Sequence, residues 1–204
     1  MDESLVLDKT KGHPNARPIV FNVSDEVQTA AEIKRADLII SLLPAHMHLA
    51  VAKTCVELGK SLVTASYITP EMKALHNEAV SRNVLLLNEC GLDPGIDHMS
   101  AMQIIREINA SGGVLEAFYS YTGGLVAPES NDNPWGYKFS WNPRNVILAG
   151  QGTAQLIENG LVKYIPYHRL FKQIVRIDVS NVGSFDGYAN RDSLAYRKIY
   201  GIEG

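Results

Sequence analysis

Cysteine is scarce in this chain. Two occur in 204 residues, Cys55 and Cys90, with no Cys-x-x-Cys pair and no zinc-like spacing. That argues against a disulfide scaffold and leaves the thiols free in a reducing compartment. An excess of one charge is also missing: 19 Lys and Arg stand against 22 Asp and Glu, for a net charge of −3. The basic residues are scattered, so no stripe exists that would neutralise a nucleic-acid backbone. Nor is there a long apolar run. The longest, "ADLIISLLPA", is about half of the ~20 residues a bilayer crossing takes, and no charged-then-apolar leader opens the chain. Together these absences predict a soluble, cytoplasmic protein with no nucleic-acid or membrane partner. What is there, 46% hydrophobic and 20% charged residues, is ordinary globular composition, enough for one large domain or two small ones.

Strand and helix patterns alternate up to Gly112. "RPIVFNV" (17–23) reads as a strand, "DEVQTAAEIKRA" (25–36) as a helix with Asp25 at its start, and "DLIISLL" (37–43) as a fully buried strand. "HMHLAVAKTCVELG" (46–59) follows as a helix closed by Gly59, then "SLVTAS" (61–66) as a strand. Next come "TPEMKALHNEAVSRN" (69–83), a helix capped by Thr69 with Pro70 first, and the strand "VLLLNEC" (84–90). Such β-α-β runs imply a parallel sheet covered by helices, the doubly wound α/β class. After a helix over 94–110, the character changes. "VLEAFYSYTGG" (114–124), "GLVKYIPY" (160–167), "VRIDVSNVGSF" (175–185) and "DGYANRDS" (186–193) suggest antiparallel strands, interrupted by a helix over 144–160. The expected division is 1–93, part of a Rossmann-like dinucleotide-binding domain, and 94–204, an α+β substrate domain.

Ligands of open parallel sheets bind beyond the carboxyl ends of the strands. Three such ends stand out. In "SLLPAHMH" (41–48), Ser41 and the residues after it can line a cofactor cleft, and Pro44 helps end the strand. The His46-x-His48 pair resembles a metal clip but lacks nearby acids or cysteines to complete it, so no metal is expected. In "TASYITP" (64–70), Ser66 and Tyr67 offer hydroxyls, or are a turn residue and a half-buried aromatic. In "NECGLDPGIDH" (88–98), Asp93 is placed as a helix N-cap and Pro94 in the first turn. Asp97 and His98 are less easily explained by capping, and first-turn backbone donors can hold a carboxylate ligand. Farther on, "TGGLVAPESNDNPWGYKFSWNPRN" (122–145) is a long loop whose Trp135, Tyr137, Phe139 and Trp141 argue against disorder, at least two of them packing as a strand. Arg144 can clamp a carboxylate or form a surface ion pair. Arg191 and Asp192 read as a local ion pair.

Taken together, "LLPAHMH", "VTASYITPEMKAL", "NECGLDPGIDHMSAM", "GGLVAPESNDNPWGYKFSWNPRNV" and "YANRDSLAYRKIYGI" resemble the saccharopine dehydrogenase family in its NADP-dependent, glutamate-forming branch. "GLDPGIDH" and "DNPxGYKFSW" carry most of the specificity. The resemblance implies a dinucleotide-binding domain with an inserted α+β domain that supports a homodimer. It also implies a reaction that joins 2-aminoadipate 6-semialdehyde to glutamate and reduces the imine with NADPH, or the reverse. On this resemblance Ser41, Leu43, Pro44 and Pro94 would lie toward the cofactor. Ser66, Tyr67, Asp93, Asp97, Thr122, Gly123 and Arg144 would lie toward the amino-acid substrate, Arg144 as a carboxylate clamp. Tyr67, Asp97 and His98 are candidates for proton transfer, and none is singled out.

The sequence departs from the family in two respects. Members are expected to continue past Gly204 with segments that return to the first domain, which leaves 94–204 C-terminally incomplete on this reading. No GxGxxG occurs, so the phosphate-binding turn with which the family starts is missing. The 204 residues are therefore expected to be a piece of a longer enzyme, inactive alone, binding NADP(H) poorly and exposing apolar surface. Two other functions compete: an imine reductase acting on a polyamine, and a non-catalytic dimerisation or binding module.

Overall fold

The computed structural model describes residues 3–139, 143, 144, 147 and 151–203. The chain divides into two units, Met1–Ile104 and Ile105–Gly204. In the first, three strands pair in parallel in the order β1 (Leu38–Ser41), β2 (Ser61–Thr64), β3 (Leu86–Leu87). Register runs Ile39 to Leu62 to Leu86 on one face and Ile40 to Val63 to Leu87 on the other. This is the parallel α/β sheet the sequence predicts.

Helices α2 (Glu26–Arg35), α3 (His48–Glu57) and α4 (Pro70–Ala74) supply the apolar partners of the first face. Ile33, Val51, Ala52, Cys55, Leu62 and Met72 form its core, with Ile39, Leu43 and Leu86 packed alongside. Burying Leu62 alone contributes about 1.5–3 kcal/mol. Capping is as the sequence predicts: Asp25 accepts from the Gln28 N–H at 3.0 Å, and Thr69 accepts from the Met72 N–H at 3.2 Å. Loss of either cap costs about 1 kcal/mol. The helix expected over 69–83 is interrupted at Leu75, whose N–H bonds to the Met72 carbonyl in a tightened turn, and resumes as α5 (His76–Ser81).

Two further strand expectations are corrected here. Residues 17–23 form no strand; the Gln28 amide donates to the Val20 carbonyl and accepts from the Asn22 N–H, taking the place of a neighbouring strand. β1 is not buried on both faces either. Ile40 is 66% and Leu42 81% exposed, and Leu38, Leu85 and Leu87 also face solvent, so the expected apolar exposure is present on this side of the sheet. A short helix, α1 (Glu3–Thr10), precedes the sheet.

Helix α6 (Ile96–Ala110) carries the chain into the second unit. There β4 (Ala154–Glu158) pairs antiparallel with β5 (Leu161–Ile165), and β6 (Ile174–Val179) with β7 (Gly183–Tyr188). Ala154, Ile165 and Leu170 form its buried cluster. The helix expected over 144–160 is thus corrected at its end among the described residues. Pro143, Arg144 and Ile147 are helical, but 154–158 is a strand turned back by Asn159 and Gly160, both at positive φ, as a two-residue hairpin requires; residues 145, 146 and 148–150 of that expectation lie outside the described ones. Residues 114–124 form no strand. The segment 175–185 contains a turn at Asn181 and joins β6 to β7.

Candidate active site

Because β1, β2 and β3 run in parallel, their carboxyl ends lie on one edge of the sheet, and the residues after them belong to one neighbourhood. Its centre is His48. Nδ1 lies 2.9 Å from Ser41 Oγ, and Nε2 lies 2.8 Å from Ser66 Oγ and 3.1 Å from Thr64 Oγ1. The ring is 3% exposed, and burial holds its pKa below the ordinary value. A neutral imidazole offers one donor and one acceptor, and three hydroxyls supply the complement. No carboxylate or sulfur takes part, so these bonds do not make a metal site, and among the described residues no group of three His, Cys, Asp or Glu is placed to hold a metal ion.

The loops after β2 and β3 are stitched together. Glu89 donates its N–H to the Ser66 carbonyl at 3.1 Å and Cys90 to the Thr64 carbonyl at 3.0 Å. The Glu89 carboxylate accepts from the Ile68 N–H at 3.1 Å. The Tyr67 hydroxyl donates to Asp93 Oδ1 at 2.8 Å, both side chains being open to solvent.

Asp93 is therefore not the N-cap the sequence suggested. The Asp93–Pro94 bond is cis and the helix begins at Ile96. Asp97 Oδ1 accepts from the Gly95 N–H at 2.8 Å, and His98 Nε2 lies 3.8 Å from Asp97 Oδ2. Two of the first-turn donors are already taken: the N–H groups of Ile96 and Asp97 bond to the carbonyls of Gly91 and Leu92. Gly95 has φ +153°, and a Cβ there would overlap the Gly91 backbone, so this joint needs glycine.

On the cofactor side, Ser41 is buried with its hydroxyl on His48, and Leu43 is half-buried against the core. Pro44 is exposed and starts a 3₁₀ turn, whereas Pro94 is buried with its carbonyl accepting from the Gly91 N–H. Leu42 and Pro44 form an apolar, exposed end to β1. No glycine-rich turn of the kind that cradles a pyrophosphate occurs in the sequence.

Of the substrate-side candidates, the first unit brings Ser66, Tyr67 and Asp93 together, with Asp97 in the adjoining first turn. Thr122 and Gly123 lie in an exposed irregular stretch of the second unit, and Arg144 is exposed on its helical turn. The loop around them folds on itself through Asn133, which donates to the Tyr137 carbonyl and accepts from the Trp135 N–H. Tyr137 meets Phe139 edge to face at 5.5 Å, without forming the strand expected for the aromatics; Trp141 lies outside the described residues. Asp192 accepts from the Leu194 N–H in place of the ion pair expected with Arg191. Sequence reasoning weighed His48 only as half of a metal clip and missed that its ring gathers the hydroxyls of Ser41, Thr64 and Ser66. Its signal was legible: Ser41 and Thr64 are polar residues ending two otherwise apolar strands.

Comparison with known proteins agrees with this architecture. The saccharopine dehydrogenase NADP binding domain family matches residues 3–87, and the saccharopine dehydrogenase C-terminal domain family matches residues 91–204. Saccharopine dehydrogenase [NADP(+), L-glutamate-forming] of Pyricularia oryzae is 40% identical over 191 residues, which are 94% of this chain and 42% of that protein. Alpha-aminoadipic semialdehyde synthase of Arabidopsis thaliana is 42% identical over 198 residues, 96% of this chain and 19% of that one. The apo structure of saccharopine dehydrogenase (L-Glu forming) from Saccharomyces cerevisiae superposes with a TM-score of 0.89 at 35% identity, over 99% of this chain and 45% of the other. The chain thus spans less than half the length of each of these relatives. Among the described residues no helix is long and apolar enough to cross a membrane. With both domain families matched in order along nearly its whole length, the chain belongs to the saccharopine dehydrogenase family.

Proposed function

We propose that this chain carries the strand-end and substrate-facing parts of an NADP-dependent oxidoreductase that reversibly joins 2-aminoadipate 6-semialdehyde to L-glutamate and reduces the resulting imine. The observation that carries the reading is the Tyr67–Asp93 pair, 2.8 Å apart at the carboxyl edge of a parallel sheet, in a chain whose relatives are named for that activity. The dinucleotide, when bound, supplies the hydride. The chain's own part is positioning and proton handling. Leu42 and Pro44 form an apolar wall for the nicotinamide. The phenolic proton of Tyr67 is held toward Asp93 Oδ1, beside Ser66 and Asp97. Thr122, Gly123 and Arg144 serve the amino-acid ends, Arg144 as a charged donor to a carboxylate. In this reading 1–93 is part of a dinucleotide-binding domain whose strand ends also offer Ser66, Tyr67 and Asp93 to the substrate, and 94–204 is an α+β substrate domain. A cytoplasmic homodimer belongs to the same reading, and sedimentation equilibrium tests the dimer.

One observation favours a second substrate class. Glu89, Asp93 and Asp97 give the end of β3 an acidic character, which suits an amine such as a polyamine. Calorimetric titration of the chain with saccharopine, spermidine and NADPH in turn separates the readings. Saccharopine binding with little NADPH binding supports the proposal, and spermidine binding in its place replaces the substrate. If none of the three binds, the chain is a non-catalytic module.

A further inference from the structure

His48 stands at the start of α3 and touches two strand ends at once. Ser41 is the last residue of β1, Thr64 is the last residue of β2, and the two are register partners. Nδ1 reaches the first, while Nε2 reaches Thr64 and, two residues on, Ser66. Thr64 Oγ1 also accepts from the Ser66 N–H at 3.2 Å, and the Ser66 carbonyl accepts from Glu89. Tyr67 is the next residue, and its phenol ends on Asp93. The contacts therefore run without a break from the ring through Ser66 to the phenol.

We propose that His48 is a positioning residue: through Nε2 it fixes the Ser66–Tyr67 turn so that the Tyr67 hydroxyl meets Asp93. A planar ring bonded at both nitrogens is a spacer of fixed width, and it holds a turn that has already left the strand ladder. The ring itself is buried, so it acts through Tyr67 and does not meet a ligand. This rests on the proposed function only in taking the Tyr67–Asp93 pair to face substrate.

The test uses the whole chain labelled with 3-fluorotyrosine, with Tyr67→Phe assigning the Tyr67 fluorine resonance and Asp93→Asn marking its position without the carboxylate. In His48→Gln the side-chain amide reaches the Nε2 position, and the Tyr67 resonance is expected to stay where the unsubstituted chain has it. In His48→Asn the amide reaches only the Nδ1 position, and the resonance is expected to move toward that of Asp93→Asn. Should the Asn variant fail to fold, the pair Thr64→Val and Ser66→Ala removes the partners of Nε2 with the ring in place and is expected to give the same shift. A merely structural histidine would lower the melting temperature of both His48 variants and leave the Tyr67 resonance alone; that result overturns the proposal, as do equal shifts in the two. Because the readout needs no ligand, absence of saccharopine binding would remove the function and leave the positioning intact.

Discussion

The Tyr67 hydroxyl and Asp93 Oδ1 lie 2.8 Å apart and join the loop after β2 to the loop after β3. Tyr67 is 51% exposed, so the bond adds little to stability. Tyr67→Phe is expected to lower the unfolding free energy by no more than about 1 kcal/mol, the usual worth of one hydrogen bond. Saccharopine affinity, measured by calorimetry, is expected to fall about tenfold, an order typical of a lost directed contact. An unchanged affinity would remove the pair from the substrate side.

The buried imidazole of His48 makes stability depend on pH. Its pKa is lowered by burial from the ordinary 6.5, so as acid is added the unfolded chain takes up the proton before the folded chain does. The contribution is whole above pH 6.5 and is lost as pH falls through the lowered folded value. Urea unfolding of the unsubstituted chain is expected to weaken from pH 7.5 to 5.5 more steeply than that of His48→Gln. Parallel slopes would mean that the folded imidazole takes up its proton as readily as an unfolded one.

The two thiols are predicted to differ in reactivity. Burial pushes the Cys55 thiol up to about 11, while Cys90 is exposed. Since the thiolate is the reactive form, a disulfide reagent at pH 8 is expected to modify Cys90 quickly and Cys55 only on unfolding. Cys90→Ser should abolish the fast phase; a surviving fast phase would show that Cys55 is accessible.

Gly95→Ala tests the joint before α6. With φ at +153° and no room for a Cβ beside Gly91, the substitution is expected to cost at least ~2 kcal/mol in urea unfolding, as strained backbone positions do. A change below about 0.5 kcal/mol, the range of ordinary surface substitutions, would mean that the loop yields easily.

In a full-length enzyme carrying this segment, Arg144→Ala is expected to weaken saccharopine binding by ~1.5–3 kcal/mol, the worth of a charged hydrogen bond, with NADPH affinity almost unchanged. Equal losses for both ligands would refute the clamp.

Much of the first unit was legible in the sequence because its signals are local. Asp25, Thr69 with Pro70, and Gly59 punctuate the helices where the structure ends them. Strand pairing is not local. "RPIVFNV" has the composition of a strand, yet Gln28, a residue outside it, holds its backbone groups. In the second unit the error over 144–160 came from weighing helical spacing above the Asn159-Gly160 dipeptide, which is a strong hairpin signal. At the candidate site, Ser41, Ser66, Tyr67 and Asp93 could be named from strand ends. The direction in which each hydroxyl points could not, and that direction is what makes His48 the hub.

The uncovered side of β1 bears on how the chain fares in a cell. Leu38, Ile40 and Leu42 stand on the same side of a strand that is the edge of its sheet among the described residues. Where an open backbone ladder and an apolar row coincide, the edge is a template on which a second chain can add a strand. Concentration-dependent association of the chain is therefore the expected consequence wherever that row is left uncovered.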